Sequence, residues 1–194
     1  MAKKIMIISG SPRDNGNTLT VADWVSTGAT DAGATVEIVR ADRIPSKERG
    51  CTACMGCQNS EKFGCVIKDD ISTIIAKIPE QNVLVLASPV YFMGFSAQIK
   101  CIIDRMYSLF KITRDGKGIT HPLQYTRFAL IATAAGSYDH GLNLLEDNMK
   151  AISSFFGKEY SSLLVPHAPV KVGSIITDTE LLENSLAFGR ELAS

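Results

Sequence analysis

Along this chain, short unbroken apolar runs alternate with stretches whose apolar residues recur every three or four positions. Lys4–Ser9, Asn82–Ser88 and Arg127–Thr133 are continuous runs, the pattern of strands covered on both faces. Ala34–Arg40 alternates polar and apolar residues, and Glu159–Val165 is a further short run; these read as a second and a fifth strand. Helical spacing marks Asn17–Asp31, Asp69–Ile78, Ser96–Lys111, Gly141–Phe156 and Asp178–Leu192. In the third of these, Ile99, Ile102, Ile103, Met106 and Phe110 share one face. Strands that alternate with helices predict an α/β fold: a doubly wound, five-stranded parallel sheet with helices on both faces. Residues Thr113–Tyr125, rich in Gly, Pro and polar groups, read as a surface excursion. Residues 1–194 fit one domain, with a cysteine-rich loop at 51–65.

Charge narrows the function classes. Twenty basic and twenty acidic residues give a formal net charge of +0, which offers no basic patch for nucleic acid or an anionic membrane. No run approaches the roughly 20 apolar residues that span a bilayer. Lys3-Lys4 before Ile5–Ile8 imitates a leader, but Gly10-Ser11-Pro12-Arg13 ends the run at once. The expectation is a cytoplasmic protein without membrane or nucleic-acid partners.

In doubly wound sheets, ligands bind beyond the carboxyl ends of the strands. Three loops converge there. The first carries Ser9, Ser11, Asn15, Asn17 and Thr18, with Arg13 among them, and opens a helix. Free N–H groups and the helix dipole suit a phosphate at that point; the plainer reading is a capped helix with Asn17 as the cap. The loop is neither G-x-G-x-x-G nor G-x-x-x-x-G-K-[ST]. The second loop, with Pro89, Val90, Tyr91 and Phe92, offers an apolar wall for a flat heteroaromatic ring. The third, with Ala134, Ala135, Gly136 and Ser137, is small enough to approach such a ring. His140, Tyr138 and Tyr91 read as rim residues, and Trp24 as packing on the sheet.

Four of the five cysteines crowd into Cys51-x2-Cys54-x2-Cys57-x7-Cys65. Two-residue spacers let one curled loop aim three thiolates at three irons, with a longer return for the fourth. Zinc, a C-x-x-C redox pair and an unligated loop are the rival readings. Asp69-Asp70 reads as a helix cap with a dipole partner. Lys100, Asp104 and Arg105 read as solvated surface charges, and Cys101 as a small buried side chain.

Gly-Ser-Pro-Arg-x-x-Gly-Asn-Thr after the first strand, and Ser-Pro-Val-Tyr-Phe…Ala-Gln-Ile-Lys…Ile-Asp-Arg after the third, resemble the NAD(P)H-dependent FMN reductase family of flavodoxin-like proteins. The cysteine loop, ending Gly-Cys-Val-Ile-Lys-Asp-Asp, resembles its iron-sulfur flavoprotein branch. The resemblance implies a flavodoxin-like fold, FMN held through Ser9, Ser11, Arg13, Asn17 and Thr18, and a ring bordered by Pro89–Phe92 and Ala134–Ser137. It implies a 4Fe-4S cluster on Cys51, Cys54, Cys57 and Cys65, and oligomers, commonly dimers or tetramers. The expected activity is electron transfer between flavin and cluster, with NAD(P)H or ferredoxin as donor and a small molecule or protein as acceptor. The expectation names no catalytic side chain. The alternative is an NAD(P)H-dependent FMN or quinone reductase without a cluster.

Overall fold

Five parallel strands form the centre of the molecule, in the order β2-β1-β3-β7-β8. They are β1 (Lys4–Ser9), β2 (Thr35–Arg40), β3 (Val83–Tyr91), β7 (Arg127–Thr133) and β8 (Tyr160–Val165). A two-residue strand, β4 (Gly94–Phe95), folds back antiparallel on the end of β3, and β5 (Lys111–Ile112) and β6 (Ile119–Thr120) form a separate small hairpin. The helices are α1 (Asn17–Asp31), α2 (Gly56–Asn59), α3 (Asp70–Lys77), α4 (Ala97–Arg105), α5 (Asn143–Phe155) and α6 (Thr179–Ala193). The structure is a computed structural model that describes residues 2–194.

Because side chains alternate across a strand, β1, β3 and β7 feed two cores. Met6, Ile8, Leu84, Leu86 and Leu130 pack with Ile75, Ile99, Ile102 and Met149 from α3, α4 and α5. Ile5, Ile7, Val83, Val85 and Ile131 pack on the other face with Val21 and Val25 of α1 and Phe188 and Leu192 of α6. Trp24 sits at the margin of that second core, as expected. Each fully buried aliphatic side chain is worth about 1.5–3 kcal/mol, so the central strands form a rigid base for the loops at their carboxyl ends. Among the described residues, no helix is long and apolar enough to cross a membrane.

The helices expected at Ser96–Lys111 and Gly141–Phe156 are shorter. α4 stops at Arg105, whose carbonyl accepts the Ser108 hydroxyl at 2.8 Å, and a 3-10 turn over Met106–Leu109 follows. Ahead of α5, Gly141 at φ +107° breaks the helical geometry, so regular helix begins at Asn143. β3 runs on past Ser88 because Pro89 still pairs with Thr133 and Val90 with Phe95. The expected surface excursion holds most of the β5–β6 hairpin.

Candidate functional site

The loops after β1, β3 and β7 meet as expected. Gly10 donates its N–H to the Ala87 carbonyl at 2.8 Å, and its own carbonyl accepts the Ser96 hydroxyl at 2.8 Å. A side chain on Gly10 would lie 2.4 Å from Ser96 Oγ and 2.8 Å from Ile99 Cβ, so glycine permits the first loop to lie against the start of α4. Ser96 N–H in turn donates to Ser88 Oγ at 3.1 Å. Two loop ends and one helix start are thus fixed by one chain of hydrogen bonds.

Between these loops lies an open cleft of ≈ 590 Å³, its solvent-facing mouth included. Of the expected residues, Ser11, Arg13, Asn17, Thr18, Pro89, Val90, Tyr91, Ala134 and Ala135 line it. The residue before α1 is Gly16, in an extended conformation with no side-chain cap. Asn17 is therefore not the cap. Its Nδ2 donates to the Pro169 carbonyl at 2.7 Å, while its Oδ1 is buried without a partner. Thr18 Oγ1 and Thr133 Oγ1 lie 2.7 Å apart, buried, and join the helix start to the end of β7. Orphaned polar atoms beside an uncapped helix start form a cradle that an anionic, hydrogen-bonding ligand fits.

The remaining expected residues stand elsewhere. Ser9 is wholly buried behind the cleft, and its hydroxyl also lacks a partner. Phe92 is fully exposed at the tip of the β3–β4 hairpin, where it and Met93 hold left-handed φ values of 45° and 64°. Gly136 and Ser137 lie outside the lining, and Ser137 Oγ instead contacts His140 Nδ1 at 2.8 Å. Tyr138 turns to α5, donating to Glu146 at 2.6 Å, a bond that pushes its hydroxyl pKa up to about 12. A fourth wall comes from the loop after β8, with Ala168, Pro169 and Val170. Sequence spacing gave no sign of it, because its place depends on backbone bonds from His167 N–H to Gly136 and Ala168 N–H to Ala134.

The four clustered cysteines line one smaller concavity of ≈ 350 Å³, shared with Met55, Val66, Arg105 and Tyr107. The loop curls because Ala53 and Met55 adopt left-handed φ values of 54° and 57°, a strained conformation for residues other than glycine. Its return is anchored by Gln58, which donates to the Phe110 carbonyl at 2.9 Å and accepts Ile112 N–H at 3.2 Å. Lys111 donates to the carbonyls of Cys57 and Ser60. The Gly56 N–H and the Thr52 hydroxyl hold the exposed Cys54 thiol below its usual pKa, whereas burial pushes Cys57 up. All five cysteines are free thiols. Among the described residues, no three His, Cys, Asp or Glu side chains group tightly enough for a single metal ion; a four-iron cubane instead places each thiolate on a separate iron.

Around this concavity two expectations are met, and those for Arg105 and Cys101 are corrected. Asp69 caps α3 in a reciprocal arrangement with Ser72, and Lys100 pairs with Asp104 on the surface. Arg105 is not a solvated charge: its residue is 1 % exposed and its guanidinium pairs with Asp69. Cys101 is half-buried against the core.

The sequence matches the model of a family described as NADPH-dependent FMN reductase over residues 3–165. The chain belongs to that family. Within it, the chain is 37 % identical over 103 residues to an iron-sulfur flavoprotein of Methanocaldococcus jannaschii, covering 53 % of this chain and 51 % of the relative. The chain spans about half the length of the curated relatives it matches. In fold it is similar to an NAD(P)H:quinone oxidoreductase from Methanothermobacter marburgensis, with TM-score 0.77 and 14 % identity over 99 % of this chain and 100 % of the other. It is also similar to an FMN-dependent NADH-azoreductase from Bacillus anthracis solved in complex with FMN, with TM-score 0.68 and 16 % identity over 100 % and 98 % of the two chains. The flavodoxin-like α/β architecture read from the sequence is therefore correct.

Proposed function

We propose that this family member is an FMN-dependent oxidoreductase that also carries a 4Fe-4S cluster and passes electrons between the two. The observation that carries the flavin reading is the uncapped start of α1, opening into a cleft with apolar walls. In this reading Ser11, Arg13, Asn17 and Thr18 hold the phosphate, and Pro89, Val90, Tyr91, Ala134 and Ala135 border the ring. Pro169 positions Asn17 through its carbonyl. The cluster reading rests on four thiols around one concavity, on the curled loop, and on the similarity to relatives named iron-sulfur flavoproteins.

FMN supplies two-electron or one-electron transfer, and a four-iron cluster carries one electron at a time. The chain's own residues bind and orient: no side chain at the cleft is assigned as nucleophile or general base. The donor in this reading is NAD(P)H, in keeping with the family, or a ferredoxin; the acceptor is a small molecule or protein. The exposed Tyr91, Phe92, Met93 and Val170 around the cleft support a homo-oligomer, as dimer or tetramer. Two cores sharing one sheet support a single domain, and five free cysteines support a reducing, cytoplasmic setting.

The test is protein purified without oxygen, with FMN, iron and acid-labile sulfide counted per chain. The expected result is about one FMN with about four irons and four sulfides. Protein that binds no FMN from solution would overturn the reading. An iron-free protein with full FMN would remove its cluster half and leave a plain FMN or quinone reductase.

A further inference from the structure

Arg105 sits at the end of α4 with its side chain wholly out of solvent. A buried guanidinium is tolerated only when its charge and its N–H groups are met. Asp69 meets most of that need through a two-pronged pair, with one terminal nitrogen donating at 2.7 Å and the other at 2.8 Å, while the buried Nε is left without a partner. The second of these nitrogens also donates to the Ile67 carbonyl at 3.0 Å and faces the Cys65 sulfur at 3.3 Å. Asp69 itself cannot swing away. Its carboxylate accepts the N–H groups of Ser72 and Lys47, each at 3.0 Å. The orientation of the guanidinium is thus dictated by a helix cap, and the direction it is given ends on a sulfur.

A neutral thiol is a weak acceptor, so the arrangement gains most when that sulfur is anionic and the bond is charge-assisted. No other cysteine of the loop receives a hydrogen bond from a charged side chain: Cys51 receives the Ala53 N–H, at 3.4 Å, and Cys54 the neutral Gly56 N–H and Thr52 hydroxyl. The second cation nearby, Lys111, is spent on the carbonyls of Cys57 and Ser60.

We propose that Arg105, oriented by Asp69, is a positioning residue for Cys65: it fixes the direction of that sulfur as a ligand and raises the reduction potential of the group the four thiolates hold. This inference rests on the cluster half of the proposed function. Its physical basis is that hydrogen bonds to ligand sulfurs and nearby positive charge favour the more negative, reduced state of a thiolate-ligated cluster. Asp69 offsets part of the positive charge, and the nitrogen facing Cys65 shares its two hydrogens among Asp69, Ile67 and the sulfur, so the N–H···S contact and the residual charge act together. Arg105 lies outside the lining of the flavin cleft, so the flavin's own potential is expected to stay unmoved.

The experiment compares anaerobically prepared wild type, Arg105→Lys, and the double variant Arg105→Met with Asp69→Asn. The double variant removes both buried charges together and keeps a good α3 cap, since Asn caps as well as Asp. Lysine keeps a charge for Asp69 but lacks the fork that reaches Asp69 and Cys65 at once. Cluster midpoint potentials are read by potentiometric titration with electron paramagnetic resonance, beside iron content and thermal unfolding. The expected result is a more negative cluster midpoint in the double variant, a smaller shift in the same direction in Arg105→Lys, and an unchanged flavin midpoint. A folded double variant that binds FMN but loses iron also supports the proposal, because Cys65 then fails as a ligand. Unshifted cluster midpoints in folded, iron-loaded variants overturn it and leave the cluster reading intact. Wild type without iron overturns both. Should the double variant fail to fold, the Arg105→Lys midpoint decides alone.

Discussion

Helices α1 and α6 touch through two glycines, and replacing one of them gives a prediction whose sign separates two physical effects. A Cβ on Gly28 would lie 2.1 Å from the Leu186 carbonyl oxygen and 2.8 Å from its Cα; a Cβ on Gly189 would lie 2.1 Å from the Val25 oxygen. These are backbone atoms, which no rotamer change can move. Relief to an ordinary contact near 3.4 Å requires one helix to shift by about 1.3 Å, and that shift opens the core in which Val21, Val25, Phe188 and Leu192 are packed. Overpacking of this kind costs about 1–3 kcal/mol. Helix propensity acts the other way, favouring Ala over Gly by about 1 kcal/mol, and it applies because both glycines lie inside regular helix. The clash is with backbone, so the upper part of the overpacking range applies and Gly28→Ala is expected to destabilise by about 1–2 kcal/mol net. Equilibrium urea unfolding reads this as a lower midpoint at unchanged slope. The double variant Gly28→Ala with Gly189→Ala should lose less than the sum of the singles, since the first substitution already parts the helices. A Gly28→Ala protein at least as stable as wild type would refute the close-approach argument and leave propensity in command.

Three further outcomes are expected. Asp69 is held at about 2, against 3.8 for a free side chain, chiefly by its hydrogen bonds with Arg105; a folded value below the unfolded one stabilises above about pH 4. About 2 kcal/mol is then lost as pH falls from about 4 to about 2, so the stability gap between wild type and Asp69→Asn should narrow over that window in acid-unfolding series. Phe92 and Met93 occupy both left-handed positions of the β3–β4 turn, which Asn-Gly fills without strain. Phe92→Asn with Met93→Gly should therefore raise the thermal midpoint, by about 1 kcal/mol of stability, in calorimetry. Asn17→Ala removes the bond to Pro169 and an amide from the cleft; fluorescence titration should show FMN affinity weaker by about tenfold, the effect of one hydrogen bond of about 1–1.5 kcal/mol.

The sheet was legible in the sequence because β1, β3 and β7 are buried on both faces, and no other element type needs such short unbroken apolar runs. The loops after them were legible by topology alone, as was the crowding of cysteines. What escaped was set by contacts distant in sequence. Pro166–Val170 follows the last strand with no polar motif, and only its pairing with Ala134 and Gly136 brings it to the cleft. Asn17 resembled a cap because caps are chosen by residue type, yet the turn places Gly16 there. Arg105 carried a signal that charge counting hid: it lies three residues beyond Ile102, which lies three beyond Ile99, on the buried face of α4. A charged residue in register with an apolar stripe calls for a buried partner, and Asp69 is that partner.

The glycine ahead of α1 also bears on how long the protein lasts in a cell. Glycine gives up only a few tenths of a kcal/mol there against Ser, Thr, Asp or Asn, but it brings no side-chain acceptor to the N–H groups at the start of α1, which opens into the cleft. Any ligand that completes the helix start adds to folding stability in proportion to the logarithm of its concentration over its dissociation constant. The empty protein is then the form that opens more often and meets proteases first. Steady-state abundance would follow cofactor supply, so that starvation for the cofactor clears the idle chains without a dedicated regulator.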